Sequence, residues 1–186
     1  MIKKGDKQMN LKKRELIKDL TDKLRRDYQL EIPFSKSLDD FLENLGGRLE
    51  YIDSKEFFGS SLEFPEKVWD KQFVILLNQR RTRQQQEYEI AYQIGNLFIN
   101  TNYLKVCTKK EESLQVTYNL KETKAIQGAI EFADNLMMPQ EEFSEEVRKH
   151  TKDGMVNMLT VANRFNVTWG RAVARGKALN LIKSEF

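Results

Sequence analysis

Residues 87–99, Glu-Tyr-Glu-Ile-Ala-Tyr-Gln-Ile-Gly-Asn-Leu-Phe-Ile, have the frame of a metal-gripping helix with the wrong side chains at the gripping positions. In the H-E-x-x-H signature two histidines one helical turn apart project from the same face to hold zinc, and the glutamate after the first is the general base. Here Tyr92 and Asn96 have the histidine spacing and Gln93 stands at the base. A phenol and two neutral amides are poor zinc ligands beside imidazole and carboxylate. Nothing among them would bring a bound water's pKa from about 16 towards 7. The expectation is a polar cleft wall with no catalytic residue, no metal and no cofactor.

Other reactive side chains are few. The single cysteine, Cys107, has no base placed near it, since the only histidine is His150, and it reads as a structural or loop cysteine. His150 ends the charged stretch Glu145-Glu146-Val147-Arg148-Lys149-His150 and reads as solvated. The early run Lys3, Lys4, Lys7, Lys12, Lys13, Arg14 reads as a solvated helix face, because Lys+Arg 31 against Asp+Glu 28 leaves a net charge of only +3. One cysteine excludes an intramolecular disulfide. With no apolar stretch fit for a signal peptide or a membrane span, a cytoplasmic protein without a membrane partner is expected.

The 186 residues, 40% hydrophobic, suffice for one domain with a proper core, expected over 1–186. Its parts are N-terminal helices (1–46), a sheet with the motif helices (47–139) and a C-terminal helical segment (140–186). Leu16, Ile17, Leu20 and Leu24 mark a first helix ending near Tyr28. Ser37-Leu38-Asp39-Asp40 reads as a capping-box start of a second, stopped by Gly46-Gly47. Strands are expected at 48–53, 61–64 and in the apolar run Phe73-Val74-Ile75-Leu76-Leu77, with Leu114 to Tyr118 a short strand or extended loop.

In the motif helix Ile90, Ala91, Ile94, Leu97 and Phe98 recur at the 3.6 period and should face the core, leaving Tyr92, Gln93 and Asn96 on another side. Ile126, Ala129, Ile130, Ala133, Leu136 and Met137 form a further helical stripe closed by Pro139, and the two apolar faces should pack. Met155, Met158, Leu159, Ala162 and Phe165 predict a helix, Asn166-Val167 a turn, and Thr168 the cap of a last helix to about Leu179.

Three segments in order carry a resemblance: Asp70 followed by Phe73-Val74-Ile75-Leu76-Leu77-Asn78; Arg80-Arg81 leading to Tyr88-Glu89-Ile90-Ala91-Tyr92-Gln93-Ile94-Gly95-Asn96-Leu97-Phe98; and Ala129-Ile130-Glu131-Phe132-Ala133-Asp134-Asn135-Leu136-Met137-Met138-Pro139. The chain resembles the ImmA/IrrE metallopeptidases over most of its length. Ala162-x-x-Phe165-x-Val167-Thr168 is similar to that family's closing helical segment. Ala91 and Gly95 match A-H-E-L-G-H, while Phe132, Ala133, Leu136, Met138 and Pro139 match A-N-x-F-A-x-x-L-L-M-P.

The resemblance implies a zincin-like α+β domain with N-terminal helices, a small three-stranded sheet and a helical second half with a helix-turn-helix-like end. It also implies that the ligand histidines fall on Tyr92 and Asn96, the base on Gln93, and the third ligand, a glutamate, on Ile126; a register shifted by two gives Gly128, which cannot bind metal either. A pseudopeptidase that binds a helix-turn-helix repressor of a phage, mobile element or stress regulon is therefore the expected function, the partner resting on analogy of fold. Two alternatives stay open. One is a metallopeptidase with a rebuilt site that recruits His150 or Glu131. The other is a DNA-binding protein that uses Arg171, Arg175 and Lys177 of the last helices on phosphates.

Overall fold

The computed structural model describes residues 11–64, 73–101 and 122–183; the basic residues at 3–7, Asp70, Cys107 and the 114–118 segment fall outside them. The chain runs α1 (Leu11–Asp27), a 3-10 turn (Phe34–Lys36), α2 (Leu38–Asn44), β1 (Gly47–Ile52), β2 (Ser60–Glu63), β3 (Phe73–Asn78), α3 (Arg83–Asn100), α4 (Glu122–Met137), α5 (Gln140–Lys149), β4 (Thr151–Lys152), β5 (Met155–Val156), α6 (Met158–Arg164) and α7 (Trp169–Ala178). This is the expected α+β class, with leading helices, a three-stranded sheet and a helical second half.

The sheet order is β1-β3-β2. β1 pairs with β3 in parallel from Gly47 opposite Phe73 to Ile52 opposite Asn78. β2 pairs with β3 antiparallel from Ser60 opposite Leu77 to Glu63 opposite Val74. The apolar run of β3 holds the centre because its side chains are buried on both faces, as a continuous hydrophobic strand requires. At its end the Asn78 side chain donates to Ser54 O (2.9 Å) and to Phe57 O, and accepts from Arg80 N (2.9 Å). It thereby fastens the loop before β2 to the turn that enters α3.

α3 starts at Thr82 with both halves of a capping box: the hydroxyl accepts from Gln85 N (3.3 Å), and Thr82 N donates to Gln85 Oε1 (3.0 Å). Ile90, Ala91, Ile94, Leu97 and Phe98 are buried as their period predicts. α3 makes its most extensive contact with α4, where Ala129, Phe132, Ala133, Leu136 and Met137 are buried and Phe98 stacks on Phe132 at 5.8 Å. The helices touch at Gly95, where an added Cβ would lie 2.9 Å from Ala129 O and 3.1 Å from Phe132 Cβ.

Several expectations give way. Leu16 is 45% exposed because the stripe of α1 centres on Ile17, Thr21 and Leu24, about 90° round the helix from it. Thr21 is buried because its hydroxyl donates to Ile17 O (3.0 Å) and Lys18 O (2.8 Å). Ser37 makes no side-chain cap; its hydroxyl accepts from Glu31 N (3.1 Å) and so binds the chain before the helix. Gly46, at φ 72, does end α2. Met155 belongs to a hairpin strand, since Asp153 (φ 52) and Gly154 (φ 77) form a tight turn, and α6 begins only after Asn157 caps it. Met155 and Leu159 are accordingly exposed.

Gly95→Ala should destabilise the fold by about 1–3 kcal/mol despite alanine's better helix propensity, because the new methyl meets backbone. Urea unfolding of the two proteins measures it.

Candidate functional site

Gln93 and Asn96 of the motif belong to a hydrogen-bonded chain that reaches the sheet. Gln93 is 6% exposed, and its Nε2 donates to both Ser60 O and Ser60 Oγ at 3.0 Å. Its Oε1 accepts from Asn96 Nδ2 (2.9 Å), and Asn96 Oδ1 accepts from Asn100 Nδ2 (2.8 Å). A chain of neutral amides thus runs along α3 to the sheet. Tyr92 is half-buried and packs on the core, and Gln93 is turned into the α3–β2 contact. Ile126 is 51% exposed at the edge of the α4 stripe, whose buried line runs through Gly128, Ala129 and Phe132 instead.

This donor set does not fit zinc. The amide at the base position has its nitrogen committed to Ser60, Asn96 is held between two amides, and Ile126 offers no donor atom. Among the described residues no three His, Cys, Asp or Glu side chains gather as a metal would need. Glu131 lies 3.4 Å from Arg14 Nε and 3.5 Å from Arg175 Nη1, so its carboxylate is already compensated. His150 is bound through Nε2 to Glu146 at 2.8 Å, one helical turn away, and is not simply solvated.

Sequence reasoning missed Glu89. It lies one turn before Gln93, with Oε1 3.4 Å from Arg81 Nε and Oε2 buried without a partner among the described residues. Burial pushes its carboxyl above the ordinary range, against the pull of Arg81. Its i, i+4 spacing from Gln93 was the available signal.

The C-terminal arginines point inwards. Arg171 Nη2 binds Asp134, and its guanidinium sits 4.2 Å over the Tyr88 ring, while the Tyr88 hydroxyl donates to Asp134 Oδ1 at 3.0 Å. Burial raises the Asp134 carboxyl against the pull of Arg171. Burial, with Asp134 beside it, also raises the Tyr88 phenol, which therefore stays a neutral donor. Arg175 is 1% exposed, with Nε on Met138 O (3.2 Å) and Nη2 on Asn135 Oδ1 (2.8 Å). Arg171 and Arg175 were expected as phosphate contacts on a DNA-binding reading; the structure spends both on α4. Lys177 is half-buried on the same helix. α6 and α7, linked by Asn166 (φ 52) and the Thr168 cap, do have helix-turn-helix proportions, but they close a core.

Residues 42–175 match the peptidase M78 family, described as the IrrE N-terminal-like domain. No curated protein matches the chain.

Arg175→Gln should cost about 3–5 kcal/mol, because it removes one of the two cations paired with Glu131 and takes the guanidinium donors from Met138 O and Asn135 Oδ1 in the interior. Chemical denaturation checks this, and an unchanged stability would return Arg175 to the surface.

Proposed function

We propose, from the premise that this chain belongs to the IrrE N-terminal-like domain family, that it is a pseudopeptidase: a protein-binding regulator that keeps the helical frame of the family without its metal chemistry. The observation that carries this reading is the residue at the general-base position. Gln93 is neutral, buried and already hydrogen-bonded through its nitrogen to Ser60. It can neither accept a proton from a nucleophilic water nor release its amide without leaving the Ser60 carbonyl unpaired. Tyr92 and Asn96 beside it, and Ile126 on α4, complete a set with no carboxylate or imidazole.

The partner we propose is a helix-turn-helix repressor, on the analogy of fold. Binding without cleavage would be sufficient for regulation, since sequestering the repressor draws it off DNA by mass action. The half-exposed Ile126 offers an apolar contact on the rim where the family places a ligand. A rebuilt metallopeptidase is disfavoured by the engagement of Glu131 with two arginines, and a DNA-binding role by the inward turn of Arg171 and Arg175.

Elemental analysis of the purified protein should find far less than one zinc per chain, and a repressor encoded beside it should stay uncut on prolonged incubation. One zinc per chain that resists mild chelation and is lost with substitutions at Tyr92 or Asn96 would overturn the reading. If the rim is the recognition surface, Ile126→Arg should weaken repressor binding by about 10-fold or more with the fold intact, because the position is exposed. Calorimetric titration measures the affinity and circular dichroism the fold; unchanged affinity would move recognition elsewhere.

A further inference from the structure

Among the described residues β2 lies at an edge of its sheet. Gly59 O accepts from Asn78 N (3.2 Å), so residue 59 faces β3, and the alternation of a strand turns the Ser60 carbonyl outwards. An outward edge carbonyl ordinarily takes water or an added strand. Here it is taken by the side chain of Gln93, from within the contact between α3 and β2. A carbonyl can only accept, so Gln93 must present its nitrogen to Ser60 and its oxygen to Asn96, and the direction of the whole amide chain follows.

We infer that Gln93, at this family's general-base position, is a brace that ties the motif helix to the sheet edge. The inference rests on the reading of the site as metal-free, which zinc analysis tests independently. The brace needs a donor. A carboxylate at position 93 has none, and ionised it would set negative charge against the Ser60 carbonyl, whereas protonated it has nearly the shape of the amide and one O–H to donate. Among the described residues the charged groups around it are Glu89, one turn earlier on α3, Arg81 on Glu89, and Glu63 at the far end of β2.

The test is therefore a pH profile of Gln93→Glu, made in a Glu89→Gln background so that repulsion along the helix does not imitate the effect. The introduced carboxyl would have its folded pKa raised above its unfolded value, so its stability is retained at low pH and lost as pH rises through the folded pKa. Relative to Glu89→Gln alone, the double variant should unfold at nearly the same temperature near pH 4.5, and roughly 3–10 °C lower near pH 8. Gln93→Met, of similar length and without a donor, should be lowered equally at both pH values. Loss of equal size at both pH values in the glutamate variant, no loss at either, or failure to fold at low pH overturns the brace. So does a methionine variant as stable as the parent.

Discussion

The close approach of α3 and α4 at Gly95 is the constraint on which the rest of the structure depends. With a Cβ there the helices would have to separate, since Ala129 backbone lies within 3.1 Å of that point. At this crossing the apolar faces interlock: Ile94 and Leu97 are wholly buried on one helix, Ala129, Phe132 and Ala133 on the other. α3 also contacts β2 and β3, so the crossing fixes where the motif helix meets the sheet. The polar side of α3 is positioned as a consequence. Gln93 reaches Ser60 because its helix is held against α4 by packing in which neither Gln93 nor Asn96 takes part.

A second layer of order is ionic and buried. Asp134, Tyr88 and Arg171 join α4, α3 and α7, while Glu131, Asn135 and Arg175 join α4 and α7 and extend to α1 through Arg14. Burying these groups is costly. They are compensated by multiple contacts per guanidinium, and Arg175 alone meets a carbonyl, an amide oxygen and a carboxylate. Such a network is a weak source of net stability, but its geometry is demanding, and it seats the last helix in one register. The same demand consumes the cations that would have made α7 a phosphate-binding helix.

What was legible in the sequence was what period and punctuation encode. The stripe of α3, the continuous apolar β3, the Gly46 stop and the Thr168 cap depend on residues within one or two turns of each other. The misread features depend on distant partners. Nothing local to Arg175 says that it meets Asn135, forty residues away, and nothing local to Gln93 says that it meets Ser60 on a strand. A polar residue with helical spacing looks the same whether it faces water or a buried carbonyl. The Asp153-Gly154 turn is the opposite case: its signal was local, but the apolar spacing of Met155, Met158 and Leu159 masked it.

The substitutions at the motif become intelligible as a set when their charges are considered together. A buried glutamate base beside zinc is stabilised by the cation, and the cation by its ligands. Tyr92, Asn96 and Ile126 supply neither imidazole nor carboxylate, and without such a cation a glutamate at 93 would be an anion held against the Ser60 carbonyl with Glu89 one turn away. Such an anion would raise its own pKa or escape to solvent. Glutamine removes the charge, keeps the length and adds the one donor that the outward carbonyl lacks. Asparagine at 96 then serves the glutamine's oxygen. Gln93 and Asn96 thus answer each other's polar atoms and the Ser60 carbonyl, and hydrogen bonds between neutral groups hold α3 to β2.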